Sequence, residues 1–203
     1  MSRKILYHFR KVDSVLYQAA KMMSPLEEIV AKQPREYFAD LCSEIIYQQL
    51  SDKAGNTIYN RFVALFPKKK VTATYLLQLP DEAIRNAGTS WAKVGFMKDL
   101  AQKTKNKEIA FAKLPEMQDE EVIEELRKIK GIGRWTAEMF LMFALARQDV
   151  FSFGDLGLKR GIEKLYNVSN PTRDELEEIT IKWSPYRSYA SRVLWRCLDN
   201  KVE

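Results

Sequence analysis

Histidine and cysteine are scarce in this sequence of 203 residues, and their scarcity excludes several kinds of active site. The single histidine, His8, rules out a histidine-containing catalytic triad and a metal centre with several histidine ligands. The two cysteines, Cys42 and Cys197, form no CxxC pair, so we expect two buried thiols, no zinc site and no four-cysteine iron–sulfur cluster. Any general base must therefore be Asp, Glu or Lys, and we expect no required cofactor.

Long apolar runs and flexible linkers are absent as well. No apolar segment is long enough to cross a bilayer and no leader with a cleavage pattern is visible, so we expect a soluble, intracellular protein without a membrane partner. Its compartment would be the cytoplasm and nucleoid of a prokaryote or the nucleus of a eukaryote. Without a Pro-, Gly- or Ser-rich linker, residues 1–203 should form one folded unit, which we expect to be a monomer.

Basic residues exceed acidic ones. The net charge of +6 and the pI of about 9.2 favour a polyanionic partner such as DNA, because clustered Lys and Arg side chains release counterions from phosphates. Solvated lysines on an ordinary surface would give the same balance, so charge alone does not decide between the two interpretations.

Apolar residues recur at the spacing of helices, and sustained alternation typical of strands is missing. The pattern predicts an all-α protein. The predicted helices span residues 12–23, 35–49, 52–65, 72–78, 81–86, 90–105, 119–128, 134–147, 157–166, 172–182 and 185–199.

A glycine turn separates two of these helices, in Lys130-Gly131-Ile132-Gly133-Arg134. The glycines allow a sharp turn with positive φ, and Ile132 can plug the core. Backbone N–H groups beside the N-terminus of the next helix would form a donor site for a phosphate, with charge from Lys128, Lys130 and Arg134. A GxG between helices is also compatible with a plain interhelical turn.

The neighbouring residues make the pattern more specific. Leu-x-x-Ile-x-Gly-Ile-Gly-x-Trp-Thr-Ala-Glu, ending at Glu138, resembles the hairpin of the 3-methyladenine DNA glycosylase II family, within the helix-hairpin-helix DNA glycosylases. The resemblance implies a two-lobed helical fold with its active-site cleft between the lobes. It places a central lobe at 35–150, with the hairpin at about 122–146, and a second lobe at 1–34 plus 151–203, in the compact form without an N-terminal β-rich domain.

The resemblance also assigns roles around the hairpin. It implies phosphate contacts through Lys130 to Arg134 and Thr136, and a monovalent Na⁺ or K⁺ ion held by the carbonyls of Arg127, Ile129 and Ile132. Related lyases carry a Schiff-base lysine where this chain has Trp135, so we expect base excision without strand cleavage. Trp135 would line the base pocket with Met139, although both also fit a stripe of core residues.

Asp155 follows Phe151-Ser152-Phe153-Gly154 at the start of a predicted helix. Locally it fits a helix N-cap. It also matches the family's catalytic aspartate, and a fixed carboxylate would stabilise the positive charge that develops on the sugar when a base departs. Both interpretations fit the residue type, and with the resemblance we favour catalysis.

Two further segments resemble the family. Trp183-Ser184-Pro185-Tyr186-Arg187-Ser188-Tyr189-Ala190 precedes Trp195, which matches the base-stacking tryptophan but could also be an ordinary contact within the fold. Gln48 and Gln49 match residues that enter the gap left by an extruded nucleotide, with Gln49 the first candidate; their alternative role is to cap adjoining helices.

Together these matches predict a monofunctional glycosylase that flips alkylated purines, such as 3-methyladenine and 7-methylguanine, out of double-stranded DNA and initiates base excision repair. Two alternatives remain at this stage. One is a non-catalytic helix-hairpin-helix protein that binds DNA structures, and the other is a glycosylase for uracil or mismatched bases.

Overall fold

The structure, a computed structural model, describes residues 2–22 and 27–199. Within these ranges the chain is helical and contains no strand, which confirms the all-α prediction. The helices are α1 (Arg3–Val12), α2 (Ser14–Met22), α3 (Tyr37–Tyr47), α4 (Asp52–Ala64), α5 (Ala73–Gln78), α6 (Asp81–Asn86), α7 (Trp91–Lys105), α8 (Asp119–Arg127), α9 (Arg134–Phe143), α10 (Leu156–Tyr166), α11 (Arg173–Ile181) and α12 (Arg187–Asp199). Short 3₁₀ segments lie at Pro34–Glu36, Pro67–Lys69 and Phe111–Glu116.

Ten of the eleven predicted helices lie within two residues of the observed bounds, whereas the helix predicted at 134–147 ends four residues earlier and α1 was not predicted. The predicted helix at 12–23, whose last residue lies outside the described residues, corresponds to α2, which begins after Asp13; the Asp13 backbone is extended and its carboxylate caps the Leu16 amide at 3.0 Å. Helix α3 ends at Tyr47, before Gln48. Helix α9 ends at Phe143 rather than 147, because Ala146 turns the chain with a φ of +55°.

The chain divides into two compact units, one formed by residues 1–30 and 141–203 and the other by residues 31–140. The second boundary falls within α9. The lobes at 1–34 plus 151–203 and at 35–150 stay a prediction from the sequence.

The first unit is built around the close packing of α10 against α12. A Cβ on Gly161 would lie 2.9 Å from Cβ of Leu194, so glycine is what lets the two helices approach at this point. Its core includes Phe9, Leu16, Ile162, Trp183 and Val193. This packing fixes the position of α10 relative to the C-terminal half of α12.

Asp13 ties the N-terminal helices to the rest of this unit. Its buried carboxylate accepts hydrogen bonds from Nε1 of Trp183 at 2.9 Å and from the hydroxyl of Tyr166 at 2.7 Å, and it lies 3.0 Å from Nζ of Lys182. Burial alone would raise the pKa of Asp13, but these donors and the Leu16 amide outweigh burial, so its pKa lies below the ordinary value.

The second unit contains α3 to α8 and most of α9. Helix α7 packs against α3, α5 and α6, and α3 also packs against α4. The core residues that hold these helices together are apolar and fully buried: Leu41, Ile45, Phe62, Leu76, Leu100 and Leu126. This unit carries the glycine turn between α8 and α9.

Candidate functional site

The glycine turn between α8 and α9, residues 128–133, is called the hairpin below. Gly131 has a φ of +81°, and a Cβ added there would lie 2.2 Å from the ring of Phe96, so the hairpin requires glycine at this position. Ile132 is buried, as predicted for a core plug. A Cβ on Gly133 would meet nothing within 4 Å, so this stretch of backbone faces open space that a ligand can approach.

Two hairpin amides already have acceptors within the protein. The N–H of Lys130 donates to Oδ2 of Asp99 at 2.9 Å, and the N–H of Ile132 donates to the carbonyl of Ile129 at 3.1 Å. The sequence suggested that successive amides of the hairpin are available to a ligand. In the structure, two of them are already bound to acceptors within the protein. The amide of Gly133 and those of the first turn of α9 stand where a helix N-terminus attracts an anion.

The basic side chains of the hairpin are largely paired with acids. The Arg134 guanidinium contacts the Glu120 carboxylate and donates from Nε to Glu138 at 3.0 Å, and this pairing lowers the pKa of Glu120. Lys128 pairs with Glu125. Sequence reasoning counted Arg134 and Lys128 as free charge for phosphate, but in the structure each has an acidic partner.

Gln48 and Gln49 follow α3 and lie beside the hairpin. The side-chain amide of Gln48 donates to the carbonyl of Gly131 at 2.8 Å, and Gln49 is exposed with a φ of +59°, which is uncommon for a residue with a side chain. Gln48 thus links two segments far apart in sequence. Neither residue caps a neighbouring helix with its side chain in the way that the alternative interpretation required.

Lys93 of α7, which sequence analysis did not single out, holds this segment in place. Its ammonium donates to the carbonyls of Ile46 at 2.8 Å and Gln48 at 2.7 Å, at the end of α3 where helix carbonyls lack partners. Burial lowers the pKa of Lys93. The spacing Gly88-x-Ser90-x-x-Lys93 is the signal in the sequence that could have pointed to this residue.

Trp135 lines a surface depression of about 420 Å³, called the Trp135 depression below. The side chain of Trp135 is 42% exposed, so it is not a core aromatic, whereas Met139 one turn later is 5% exposed and packs in the interior. Predicted wedge and hairpin residues meet here. The lining includes Glu44, Gln48, Gln49, Gly131, Trp135 and Thr136.

Asp155 begins α10 and is both a helix cap and a buried carboxylate. Its Oδ1 accepts the N–H of Leu158 at 2.7 Å and the indole Nε1–H of Trp195 at 3.2 Å. Only 9% of the residue is exposed. The N-cap interpretation is therefore confirmed, and the same oxygen that caps the helix also holds the predicted stacking tryptophan.

Trp195 of α12 is partly buried and packs against the core of the first unit, and Ser188 and Ser191 on its own side of the helix are buried as well, so α12 has no open face at this point. Its ring centroid is 6.0 Å from that of Phe143, which is 37% exposed. A Cβ on Gly157 would lie 3.0 Å from Oδ1 of Asp155 and 3.2 Å from Nε1 of Trp195. Sequence analysis missed both Phe143 and Gly157, because only the folded chain brings them beside Trp195 and Asp155.

The segment before α12 supports this arrangement. Arg187 forms a two-point contact with Asp149, with Nε at 2.8 Å from Oδ1 and Nη2 at 3.0 Å from Oδ2. The hydroxyl of Ser188 donates to the carbonyl of Arg147 at 2.6 Å and accepts the Val150 amide at 3.0 Å. These contacts fasten the start of α12 to the chain that leads to Asp155.

The parts of the chain that the structure describes contain no cluster of three or more His, Cys, Asp or Glu side chains that could hold a metal ion. Across the same residues, no helix is long and apolar enough to cross a membrane. Cys42 and Cys197 are buried thiols, as expected.

Comparison with known proteins identifies the class. Residues 42–185 match the model of the HhH-GPD superfamily base excision DNA repair proteins, and the chain belongs to this superfamily. It is 31% identical to DNA-3-methyladenine glycosylase 1 of Schizosaccharomyces pombe, over 93% of this chain and 84% of that protein. The family resemblance drawn from the hairpin and its neighbours is confirmed.

A solved structure of similar shape supports the same grouping. The 3-methyladenine DNA glycosylase of Schizosaccharomyces pombe in complex with abasic DNA has a TM-score of 0.85 and 29% identity, with 98% of each chain covered. The Bacillus subtilis protein YfjP is 32% identical to this chain over 76% of its residues. The match covers 56% of the length of YfjP.

Proposed function

We propose that this protein is a monofunctional DNA glycosylase that hydrolyses the N-glycosidic bond of alkylated purines in double-stranded DNA. The observation that carries the proposal is the buried Asp155, whose Oδ1 receives both a helix amide and the Trp195 indole, in a chain of a base excision repair superfamily. The names of the relatives, DNA-3-methyladenine glycosylases, supply the substrate class.

Asp155 would act on the sugar. Cleavage of the N-glycosidic bond leaves positive charge on C1′, and a fixed, largely buried carboxylate stabilises that charge more than a solvated one because little water screens it. The carboxylate would also orient the attacking water. The two N–H donors on Oδ1 hold the group in one orientation, so little rearrangement is needed as charge develops.

Aromatic side chains would recognise the base. Methylation at N3 of adenine or N7 of guanine makes the purine cationic, and cations are attracted to the faces of tryptophan rings. Trp135 and Trp195 are both partly exposed and therefore available for stacking. Met139 would support Trp135 from the interior rather than touch the base.

The second unit would hold the DNA backbone. A phosphate would meet the Gly133 amide and the N-terminus of α9, with Lys130 nearby and Thr136 in the first turn; Arg134 would join after exchanging Glu120 for phosphate. Gln49, which is exposed and has a φ of +59°, would enter the gap left by the extruded nucleotide. The partner would be double-stranded DNA that contains a damaged base. The protein would bind it as a monomer, in the compartment that contains the DNA of the cell.

The hairpin carbonyls fit a monovalent cation in their chemistry. Arg127 is the last residue of α8, where helix carbonyls lack intrahelical partners and carry negative charge, and the positive φ of Gly131 turns the chain back between Ile129 and Ile132. Carbonyl oxygens are suitable ligands for hard cations. A bound Na⁺ or K⁺ would neutralise part of the charge of a DNA phosphate.

Trp135 is the reason to propose hydrolysis without strand cleavage. A lyase needs an amine at the sugar to form a Schiff base, and an indole cannot supply one. Incubation of the protein with abasic DNA and borohydride should therefore trap no covalent adduct. A trapped covalent adduct would contradict this part of the proposal.

The central test is Asp155→Asn, assayed on methylated duplex DNA. Asn keeps an oxygen that can cap α10 but removes the charge, so we expect release of 3-methyladenine and 7-methylguanine to fall at least about 100-fold with unchanged binding to abasic DNA. Asp174→Asn, at an exposed aspartate of α11, is the control and should leave base release unchanged. If Asp155→Asn releases both bases at the wild-type rate, the proposal is wrong. If the wild type binds DNA but releases no base, the protein is a non-catalytic DNA-binding protein.

A further inference from the structure

A hydrogen bond joins the segment that would enter the DNA to the hairpin that would hold a phosphate. The side-chain amide of Gln48 donates to the carbonyl of Gly131 at 2.8 Å, although the two residues are 83 positions apart in sequence. Both belong to the compact unit formed by residues 31–140. The bond therefore connects two segments of one unit, and Gln48 has no task of its own in the proposed function.

Gln48 is held through its backbone as well as through its side chain. Its carbonyl accepts a hydrogen bond from the Lys93 ammonium at 2.7 Å, and the same ammonium binds the carbonyl of Ile46 at 2.8 Å. The N–H of Leu50 donates to the last carbonyl of α3 at 3.0 Å. The backbone is thus fixed on both sides of Gln49.

The hairpin end of the bond is also fixed by α7. The N–H of Lys130 donates to Oδ2 of Asp99 at 2.9 Å, and the Phe96 ring of the same helix packs so closely that a Cβ on Gly131 would lie 2.2 Å from it. Two residues later, the backbone at Gly133 faces open space. The Gly131 carbonyl is therefore fixed relative to the amide that would meet a phosphate.

The side chain of Gln49 differs from its fixed surroundings. It is exposed, and across residues 2–22 and 27–199 it makes no hydrogen bond. Its φ of +59° is uncommon for a residue with a side chain, and such a conformation persists only where neighbouring contacts impose it. An unoccupied side chain on a fixed backbone is preorganised to enter a gap, because the backbone is already ordered before DNA binds.

We propose that Gln48 is a positioning residue that couples the hairpin to Gln49, so that a DNA phosphate bound at the hairpin fixes the place where Gln49 enters the duplex. The inference rests on the proposed function. The coupling would act on DNA with an extruded or missing base, because an intact, stacked duplex offers no gap to fill. The hairpin contact would act on both kinds of DNA, since their phosphates are the same.

The test compares two DNA ligands in Gln48→Met. Met is similar in length and flexibility but cannot donate to the Gly131 carbonyl, so the variant removes one hydrogen bond with little change in size. In fluorescence anisotropy, the Kd for an abasic duplex should rise about tenfold, whereas the Kd for the undamaged duplex of the same sequence should change by less than about threefold. Gln78→Met, at an exposed glutamine that ends α5 in the same unit, is the matched control and should leave both Kd values unchanged.

A double-mutant cycle separates coupling from a merely structural role. Gln49→Ala should slow the release of 7-methylguanine about tenfold in the wild type but much less in Gln48→Met, because Gln49 is no longer held in place there. Two independent contributions would instead multiply. Thermal melting of each variant checks that it is folded.

The outcomes also separate this inference from the proposed function. If Gln48→Met leaves both Kd values unchanged, if it raises both equally, or if the effects of the two substitutions multiply, the inference is wrong and the proposed function stands. If the wild type releases no 7-methylguanine, the proposed function has failed, and the two Kd values of Gln48→Met still decide whether the hairpin and Gln49 are coupled.

Discussion

Gly157 is the position where one added methyl group should separate catalysis from folding. A Cβ there would lie 3.0 Å from Oδ1 of Asp155 and 3.2 Å from Cδ1 and Nε1 of Trp195. Optimal contacts between carbon atoms are about 3.5–4.0 Å, so in Gly157→Ala the indole must withdraw by a few tenths of an ångström. The hydrogen bond between Trp195 and Asp155 is already long at 3.2 Å and should break.

The size of the effect follows from that bond. A hydrogen bond to a charged group contributes about 1.5–3 kcal/mol, and its loss at the reacting centre corresponds to a fall of about 10–150-fold in kcat/KM. Alanine is favoured over glycine in a helix by about 0.8–1 kcal/mol, which offsets the steric cost. The free energy of unfolding should therefore change by less than about 1 kcal/mol.

The assay is release of 7-methylguanine from methylated duplex DNA, with thermal unfolding measured on the same samples. Gly154→Ala is the matched control, because it lies one residue before Asp155 and a Cβ there meets nothing within 4 Å. Full activity of Gly157→Ala, or an equal loss in Gly154→Ala, would refute the reasoning.

Three further predictions concern stability and DNA binding. Asp13→Asn should lower the free energy of unfolding by about 2–3 kcal/mol. Because the pKa of Asp13 is lowered in the folded state, the extra stability of the wild type is fully present above the unfolded pKa of about 3.9 and is lost as the pH falls through the folded pKa. Thermal melting of both proteins at several pH values measures this difference. Lys93→Met removes the ammonium whose two hydrogen bonds hold the Gln48 segment, so the Kd for abasic DNA in fluorescence anisotropy should rise about tenfold. Unchanged affinity at unchanged stability would contradict this. Glu120→Gln removes one of the two acidic partners of Arg134 and leaves Glu138, so more of the guanidinium can reach a phosphate and the salt dependence of Kd should steepen by up to about one unit of slope. An identical slope would mean that Arg134 does not reach the backbone.

Local signals explain why much of the fold could be predicted. Helix periodicity and capping act between residues a few positions apart, so ten predicted helices lie close to the observed ones. The junction at Asp13 has one local signal, the cap on the Leu16 amide, but its contacts with Trp183 and Tyr166, more than 150 residues away in sequence, could not be predicted. Partners at that distance leave no local pattern.

The same distinction applies to the site. Asp155 could be identified because a cap and a family motif coincide within a few residues. Lys93 and Gly157 could not, because their significance depends on what α3 and α12 bring beside them. The pairing of Arg134 with Glu120 crosses the whole hairpin, so the sequence showed a free cation where the structure has an ion pair.

Asp155 takes part in the fold and in the proposed chemistry through one oxygen. Its Oδ1 caps α10 by accepting the Leu158 N–H and also accepts the Trp195 indole N–H, so the contacts that begin the helix hold the carboxyl group in one orientation. The residue type therefore could not separate the cap interpretation from the catalytic one, because both use the same geometry. Asp155→Asn separates them, since Asn retains an oxygen for the cap and removes the charge that would stabilise a cationic sugar. Full release of 7-methylguanine by this variant would leave the cap as the task of Asp155.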